Sequence, residues 1–426
     1  MSVTAVVGCQ WGDEAKGKFV DYLSAQASIV ARYNGGDNAG HTVVNQYGTS
    51  KLRLLPNGLF NPGTNCVIGP GVVVNLATLI DEIDFFEQSG LDYQQRLWIS
   101  PRCHVVMPYH PLIEEIYEKA RGQGRTGTTR RGMGPVHADK VSYNGIRLYD
   151  LADRAVFAEK LRLQLAIKNP TFQAFGMPPL DFEAVYQEKL EQYNKLAAFV
   201  HEPYALVQDA LKQGGSILLE GAQGALLDNN WGTYPYCTAS TTLAGGAAAG
   251  LGIAPHHIQR VVGIAKAYTT RVGAGPMPTE LDDQDGQTLQ REGQEFGTVT
   301  GRARRCGWFD AEIVRFTCQL NGVTDLALTK LDVLDSLRVL KICTVYRNAS
   351  AGERLLHYWE GDAAWLETCQ PEYIEMEGWL SSTRQATSYN QLPAQAQAYV
   401  RKIVELVEAP LRWISVGPGR TETIAV

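Results

Sequence analysis

A glycine-containing segment near the start of the chain, GCQWGDEAKGKFVD (residues 8–21), has the residue types of a phosphate-binding loop. Gly12 and Gly17 allow backbone amides to turn toward phosphate oxygens, and Lys16 and Lys18 add positive charge. The segment therefore predicts a site for a nucleoside phosphate. The alternative is an ordinary strand, turn and helix with lysines at the start of the helix.

The residue after this loop raises the question of what holds a metal ion. Phe19 stands where a phosphate-binding loop usually carries the Ser or Thr hydroxyl that coordinates Mg²⁺. Asp13, inside the loop, offers a hard carboxylate oxygen of the kind that Mg²⁺ prefers. A carboxylate there would repel a triphosphate unless a cation lay between them, so we predict that Asp13 binds Mg²⁺.

A second glycine-rich turn, NGGDNAGHT (residues 34–42), follows the next apolar run. Its glycines bring the backbone close to a ligand, and Asn38, His41 and Thr42 supply side chains to contact it. Taken singly, a histidine such as His41 is more often a structural, hydrogen-bonded residue than a catalytic one.

The segment LTKLD (residues 328–332) ends another apolar run. Guanine presents two adjacent donors, N1–H and the 2-amino group, which one carboxylate accepts together. The spacing T-K-x-D, ending in Asp332, is the one that GTP-binding proteins use for guanine. Asp332 alone is also consistent with a solvated carboxylate at a strand end, but beside a phosphate-binding loop it favours GTP over ATP.

Two further loops combine glycines with arginines. Guanidinium groups on such loops suit bidentate capture of small carboxylates or phosphates. The alternatives are a solvated charged face for the first loop and a mobile linker for the second. The arginines are Arg302, Arg304 and Arg305 in TGRARRCGW (residues 300–308), and Arg125, Arg130 and Arg131 in GRTGTTRRGMGP (residues 124–135).

Bulk composition limits the classes of partner. The 39 Lys and Arg residues against 45 Asp and Glu residues give a net charge of −6, which disfavours generic binding to nucleic acid or to an anionic membrane. Scattered cysteines without a C-x-x-C pair, and no secretory leader or membrane-length apolar run, indicate a soluble cytoplasmic protein with reduced thiols.

Strand and helix patterns alternate along most of the chain, which predicts an α/β fold. We expect a mostly parallel central sheet with a P-loop-like nucleotide site, a helical insertion and a C-terminal α+β lobe. Ligand-binding loops lie at the carboxyl ends of strands in such sheets. The predicted division is residues 1–100 plus 212–272 for the nucleotide-binding core, 101–211 for the insertion, and 273–426 for the lobe, which carries the arginine loop of residues 300–308 and the guanine-binding elements.

Taken together, the motifs resemble those of the adenylosuccinate synthetase family. They occur in this order over nearly the whole length: QWGDEAKGK, NAGHT, GTT, EGAQG, GTYPY, KAYTTRVGAGPMPTE, EFG, TKLDVLD and GPGRTET. The resemblance implies a homodimeric, Mg²⁺-dependent ligase that uses GTP to join L-aspartate to IMP. The reaction passes through 6-phosphoryl-IMP and gives adenylosuccinate, GDP and phosphate.

The resemblance also assigns roles to matching residues. Asp13 would bind Mg²⁺ and take the N1 proton of IMP, and the Gly40 carbonyl would be a second metal ligand. His41 would assist transfer of the γ-phosphoryl group to the 6-oxygen of the base. Lys140 and Gln223 complete the implied catalytic set.

The implied binding residues fall into three groups. For GTP they are Gly12, Asp13, Glu14, Ala15, Lys16, Gly17, Lys18, Gly40, His41, Thr42, Arg304, Lys330, Leu331, Asp332, Ser415, Val416 and Gly417. For IMP they are Asp13, Lys16, Asn38, Ala39, Gly40, His41, Thr129, Gln223, Thr238 and Arg302. For L-aspartate they are Thr298, Val299, Thr300, Gly301, Arg302, Arg304 and Arg131.

Several positions depart from the pattern of the family. Tyr143 replaces an arginine that in the family reaches across the dimer to the IMP 5′-phosphate, and we hypothesise that Arg130, where glycine is usual, partly restores that charge. The other departures are Ala15 for glycine, Asp37 for histidine, His137 for tyrosine, Val299 for threonine and Ala303 for arginine.

Two alternative functions stay open at this point. A diverged ligase of the same family would act on another 6-oxopurine nucleotide, such as dGMP, or use another amine donor. A GTP-binding regulatory protein would use the phosphate loop and T-K-L-D as a switch. Phe19 argues against the switch, because such proteins hold Mg²⁺ through the loop hydroxyl.

Overall fold

The computed structural model describes residues 2–297, 301–348 and 356–426. Within these ranges the strands, in chain order, are β1 Ser2–Gly8, β2 Ile29–Arg32, β3 His41–Asn45, β4 Gly48–Leu52, β5 Asn65–Ile68, β6 Val73–Val74, β7 Leu97–Ile99, β8 His104–Val105, β9 Ser216–Glu220, β10 Ile258–Lys266, β11 Thr269–Arg271, β12 Arg305–Gly307, β13 Phe309–Asp310, β14 Asp325–Thr329, β15 Val339–Arg347, β16 Gln370–Glu377, β17 Leu411–Ser415 and β18 Thr423–Ala425.

The helices surround these strands. They are α1 Lys16–Ser24, α2 Leu76–Gln88, α3 Tyr109–Arg121, α4 Met133–Val141, α5 Leu148–Ala152, α6 Arg154–Ala174, α7 Phe182–Leu196, α8 Tyr204–Lys212, α9 Ala244–Leu251, α10 Gln284–Glu292, α11 Ala311–Asn321, α12 Ala363–Glu367 and α13 Ala394–Val407. The helical character predicted between the early strands and β9 is confirmed, because α5 to α8 occupy that stretch.

A nine-stranded sheet forms the centre of the molecule, in the order β18-β17-β14-β10-β1-β9-β2-β5-β7. Every pair is parallel except β17 with β18. Its central strands are apolar on both faces, as a parallel sheet covered by helices requires. The predicted α/β class with a mostly parallel sheet is confirmed.

The register of the sheet brings the carboxyl ends of its strands to one edge. Gly8 of β1 pairs with Ile264 near the end of β10, and Glu220 of β9 pairs with Arg32 of β2. Lys266 of β10 pairs with Thr329 of β14. The loops that carry the predicted chemistry therefore emerge side by side.

Buried clusters on both faces of the sheet hold this edge in place. Val6 and Val30 pack with α1 and the insertion on one face, whereas Val3 and Ala5 pack beneath α8 and α9 on the other. A third cluster joins β14 and β17 to α11 and α13. All eight cysteines are free thiols.

The predicted division into three units stays a prediction, but the sheet crosses its last boundary. Strands β14, β17 and β18 come from residues beyond 272 and extend the same sheet as β1 and β10. Of the helices in the described ranges, none is both long and apolar enough to cross a membrane.

Candidate active site

The loop between β1 and α1 is closed by one of its own carboxylates. Glu14 is buried, and its Oε1 accepts from the backbone amides of Gln10 (3.1 Å) and Gly12 (2.8 Å). Its other oxygen lies 2.6 Å from Lys16 Nζ. The first amides of the loop are thus used internally, and the later ones are left for a ligand.

Helix α1 begins at Lys16 without a side-chain cap on its first turn and without an acidic residue there. Its N-terminal amides and positive dipole end are therefore available to an anion. Gly17 allows the close approach to the next element, since a Cβ at this position would lie 2.8 Å from the Cβ of His41. This arrangement is suited to phosphate.

Lys18 and Phe19, the two residues after Gly17, make contacts that differ from those of an ordinary phosphate-binding loop. Phe19 is fully buried and packs against Trp413 (ring centroids 6.1 Å apart), so it belongs to the core. Lys18 Nζ donates to Ser415 Oγ (2.6 Å) and to the Gly417 carbonyl (2.7 Å). Burial lowers the pKa of Lys18 to about 8. Lys18 thus ties the phosphate loop to the end of β17.

Asp13 has a cationic partner in this structure. Its Oδ2 lies 2.9 Å from Nε of Arg304, and its side chain is 28% exposed. A position beside this carboxylate already accommodates a positive group, which is what a Mg²⁺ site requires. Across the described ranges no group of three or more His, Cys, Asp or Glu side chains forms a metal cage. A metal held by one carboxylate, a carbonyl and substrate oxygens fits this donor set.

His41 is oriented by a carboxylate from the neighbouring strand end. It begins β3 and is buried, with Nδ1 donating to Glu220 Oε1 at 2.6 Å. Asn57 also donates to both oxygens of Glu220, from its side chain at 2.9 Å and its backbone at 3.0 Å. Burial lowers the pKa of His41, while Glu220 opposes this shift. The proton on Nδ1 is thereby fixed, and Nε2 remains for a ligand.

Gln223 and Asn38 meet across the cleft between the two early loops and the loop after β9. Gln223 Nε2 donates to Asn38 Oδ1 at 3.1 Å. The Oε1 atom of Gln223 is buried without a protein partner. An acceptor left in this state is costly unless a ligand or water satisfies it, which supports a binding role for Gln223.

The arginine-rich segment before α4 is held by a residue that the sequence analysis did not single out. Glu118 of α3 accepts from the Thr126 hydroxyl (2.6 Å) and from the backbone amides of Thr126, Gly127 and Thr128 (3.2, 3.0 and 3.4 Å). Because Glu118 occupies these amides, the side chains of the loop, its arginines included, are the groups left to contact a ligand.

The two arginine loops contact each other. Arg302 Nη2 donates to the carbonyl of Gly127 at 2.7 Å. Arg131 Nη1 lies 3.6 Å from Oδ2 of the buried Asp37. Residues predicted for IMP and for L-aspartate therefore share one region of the molecule. Thr298, Val299 and Thr300, also predicted for L-aspartate, lie outside the described residues.

At the guanine end, Asp332 is covered by an arginine. Its Oδ2 accepts from Arg384 Nη2 (3.1 Å) and Nε (3.2 Å). Burial raises the pKa of Asp332, and Arg384 opposes this shift. Both donors of Arg384 converge on one oxygen of Asp332, whereas guanine would donate N1–H and its 2-amino group to the two oxygens. The contact shows that this carboxylate accepts N–H donors from a planar cationic group.

The remaining predicted residues vary in their surroundings. Lys140 is half-buried on α4, and burial lowers its pKa; within the described ranges no hydrogen bond or ion pair joins it to Asp13 or His41. Leu331 and Val416 are buried residues that follow β14 and β17, beside the guanine-binding positions. The Thr238 amide donates to the Leu227 carbonyl at 2.8 Å. Less buried are Thr129 and Thr42.

The departures Tyr143 and Arg130 both have backbone conformations that favour glycine. Tyr143 has φ 67° and is 96% exposed, and Arg130 has φ 58°. The usual glycine at position 130 fits this conformation. No described contact assigns Arg130 to a phosphate site, so its compensating role stays a hypothesis.

Comparison with known proteins identifies the same family along the whole chain. The family model described as adenylosuccinate synthetase matches residues 5–424. The adenylosuccinate synthetase of Limosilactobacillus fermentum is 47% identical over 425 residues, covering 100% of this chain and 98% of that protein. The one from Heliobacterium modesticaldum is 46% identical over 425 residues, covering 100% and 99%.

Solved structures agree with this result. The fully ligated adenylosuccinate synthetase from Plasmodium falciparum has a TM-score of 0.94 and 35% identity, with 100% of both chains covered. The cyanophage S-2L succinoaminodeoxyadenylate synthetase (PurZ), bound to dGMP and dATP as an energy donor, has a TM-score of 0.60 and 23% identity, covering 100% of this chain and 95% of that one. At this lower identity the likeness concerns the fold alone.

Proposed function

Since the chain belongs to the adenylosuccinate synthetase family, it is a ligase that joins L-aspartate to IMP, and we propose that it does so with GTP and Mg²⁺ at the carboxyl edge of the central sheet. The observation that carries this assignment is the meeting of Asp13 with Arg304 beside the uncapped start of α1. A carboxylate, a guanidinium and free helix amides there match a base, an anion-binding group and a phosphate site.

Asp13 and the Gly40 carbonyl are the proposed metal ligands. When bound, the metal supplies positive charge that offsets the negative charge of the phosphates and the Asp13 carboxylate. The chain itself contributes the amides of α1 and the charge of Lys16, whose ammonium is kept in the loop by Glu14. These groups position the triphosphate for in-line transfer.

The proposed chemistry begins with removal of a proton. Asp13 takes the N1 proton of IMP, which makes the 6-oxygen nucleophilic. The 6-oxygen attacks the γ-phosphorus of GTP, and the bond to the β-phosphate breaks. The negative charge of the bound triphosphate favours the imidazolium form of His41, which keeps Nδ1–H on Glu220 and donates Nε2–H to the bridging oxygen. The amine of L-aspartate then displaces phosphate from carbon 6 and gives adenylosuccinate.

Recognition of the three substrates follows the grouping made from the sequence. Asp332 and the Ser415–Gly417 segment are proposed for guanine, supported by the acceptance of N–H donors at Asp332 and by the Lys18 link to Ser415. Asn38 and Gln223 are proposed for IMP, with the unsatisfied Oε1 of Gln223 as support. Arg302 and Arg304 are proposed for L-aspartate.

We also propose that the chain forms a homodimer through the face that includes α4 and α6. Lys168 of α6 bonds to Asp139 of α4 at 2.9 Å, and the apolar residues Val141 and Ile167 close to them in sequence are 72% and 51% exposed. Apolar side chains that are exposed in one copy gain free energy when a second copy covers them. In sedimentation velocity the wild type should sediment as a dimer and Ile167→Asp should shift toward monomer; a monomeric wild type at micromolar concentration would exclude this interface.

A single assay tests the proposed function. The protein is incubated with GTP, Mg²⁺, L-aspartate and either IMP or dGMP, and the ultraviolet shift of the 6-substituted purine is followed. We expect product with IMP. Turnover of dGMP alone would assign the chain to a related ligase, and GTP binding without either product would contradict a catalytic role.

A further inference from the structure

One buried carboxylate that has no part in the proposed chemistry lies at the centre of the site. Glu295, with a side chain 0% exposed, contacts Lys266 Nζ at 2.9 Å, Lys330 Nζ at 2.7 Å and Arg304 Nη1 at 2.6 Å. It also accepts a hydrogen bond from the Tyr268 hydroxyl. Burial alone raises the pKa of Glu295, but the three cations hold it well below its ordinary value.

The partners of Glu295 belong to opposite ends of the proposed GTP site. Lys330 is two residues before Asp332, the proposed guanine-binding carboxylate. Arg304 uses its Nη1 for Glu295 and places its Nε 2.9 Å from Asp13. A continuous chain of contacts therefore runs from Lys330 through Glu295 and Arg304 to Asp13.

Glu295 also supports an unusual backbone conformation at the guanine end. Lys330 has φ 57°, which is unfavourable for a lysine, and its Nζ is shared between Glu295 and the Gly293 carbonyl at 2.7 Å. This conformation directs the chain from Thr329 toward Asp332. Because Thr329 Oγ1 donates to the Glu14 carbonyl at 2.9 Å, the same strand end is attached to the phosphate loop.

Stability alone does not explain this cluster. Three cations surround one carboxylate, and with Asp13 the group still has one positive charge in excess. Buried ionic groups are often no more stabilising than apolar side chains of the same volume. An excess of positive charge next to two proposed anion sites is instead expected where anionic substrates bind.

We propose that Glu295 is a positioning residue that couples recognition of the guanine base to the placement of Asp13 and Arg304. When Asp13 leaves its contact with Arg304 to bind Mg²⁺ and IMP, Arg304 stays in place because Glu295 holds its Nη1. The nucleotide base and the reacting groups are then aligned by one side chain. This inference rests on the proposed function, since it assumes GTP at Asp332 and catalysis at Asp13.

The test compares Glu295→Gln with a matched variant, Glu312→Gln. Glu312 is also buried and paired, with His357 Nδ1 at 3.1 Å and with Arg315, but its described contacts do not include a proposed site residue. For each protein, kcat and kcat/KM are measured with GTP and with ITP, which lacks the 2-amino group. Kd for both nucleotides and the thermal midpoint are measured alongside.

We expect Glu295→Gln to lower kcat at least tenfold and to reduce the GTP-to-ITP ratio of kcat/KM at least fivefold. Glu312→Gln should leave both within twofold. In a double-mutant cycle, Glu295→Gln and Asp332→Asn should be non-additive in kcat/KM for GTP, because both act on one alignment. A purely structural Glu295 would lower the thermal midpoint and leave the nucleotide ratio unchanged.

Several outcomes would overturn the inference. An unchanged kcat and base ratio in folded Glu295→Gln, or strict additivity with Asp332→Asn, would do so. If Glu295→Gln does not fold, Glu295→Asp takes its place, because it keeps the charge but shortens the side chain by one methylene. An unchanged GTP-to-ITP ratio of kcat/KM in Glu295→Asp would then count against the inference. A wild type that makes no adenylosuccinate refutes the proposed function instead, and the ratio of Kd values then tests Glu295 at the guanine end.

Discussion

At the scale of single residues, the site concentrates unfavourable backbone conformations. Asp13, Ala15, Gln223 and Lys330 all have φ between 57° and 68°, a region that non-glycine residues seldom adopt. Such conformations persist where the surrounding structure fixes them, and they cluster at functional sites. Three of these four side chains have proposed roles in binding or catalysis. Ala15 is the exception, since it contributes only a methyl group.

Replacing Ala15 with glycine should therefore stabilise the protein. Ala15 has φ 68° and ψ 35°, and glycine removes a penalty of roughly 1–2 kcal/mol while adding less than about 1 kcal/mol of unfolded-state entropy. We expect Ala15→Gly to raise the free energy of unfolding in urea by about 0.5–1 kcal/mol. Ala25→Gly, at the other end of α1 with φ −58°, should lower it by a similar amount. Equal losses in the two variants would contradict this account.

The carboxylate at the guanine end should determine the preferred base. Asp332→Asn is expected to weaken the use of GTP and to improve that of xanthosine triphosphate, whose 2-oxo group requires a donor. The ratio of kcat/KM for the two nucleotides measures this change. Asp335→Asn is the matched control, because Asp335 is engaged by Trp379 (2.7 Å) and by the Thr383 amide (2.8 Å). Unchanged GTP use by Asp332→Asn would refute the assignment.

At the scale of helices and strands, the sequence predicted much of what positions the site. The apolar runs MSVTAVV (residues 1–7) and SIVARY (residues 28–33) predict strands where β1 and β2 lie, and the helical spacing of Leu76–Gln88 predicts α2 with the bounds observed. The segment around His41 was interpreted as a turn, whereas His41 begins β3. Its pairing with Leu52 of β4 depends on residues beyond that segment.

The residues that orient the site were less predictable. Glu295 lies in a polar segment typical of a loop, and its partners Lys266, Arg304 and Lys330 are 29, 9 and 35 residues away. Only the assembled sheet brings them together. Glu220 offered a weak signal, because a carboxylate that ends the buried strand SILLE requires a partner. Glu118 offered none, since on its helix it has the pattern of a surface residue.

The start of α11 provides a pH-dependent prediction at this scale. Asp310 caps the helix, accepts from the Tyr346 hydroxyl at 2.7 Å, and is fully buried; burial raises its pKa from 3.8 to about 7. The folded state therefore retains this proton when the unfolded state has lost it, so the free energy of unfolding decreases as pH rises from about 4 to 7.

Asp310→Asn removes this contribution. Between pH 4 and pH 8 the free energy of unfolding of the variant should gain roughly 2–4 kcal/mol relative to the wild type. Urea titrations at several pH values measure this difference. Parallel stability curves for the two proteins would show that the Asp310 carboxyl does not titrate in this range.

At the scale of the whole molecule, one site is assembled from distant parts of one sheet. The segment after β1 forms the phosphate loop and the segment after β2 leads to His41 at the start of β3, whereas the guanine-binding residues lie at the ends of β14 and β17 and just beyond them. The net charge of −6 did not predict anionic ligands. The excess of cationic side chains around Asp13 and Glu295 nevertheless provides local positive charge suited to binding them. The family model matches residues 5–424, a span that includes all of these segments.

The central claim is that one carboxylate in the phosphate loop acts as the base toward IMP. Asp13→Asn preserves the size of the side chain and removes its basicity. We expect kcat for adenylosuccinate formation, followed by the ultraviolet absorbance of the product, to fall roughly 10²- to 10⁴-fold while IMP still binds. A kcat within tenfold of the wild type would contradict the assignment of Asp13 as the base.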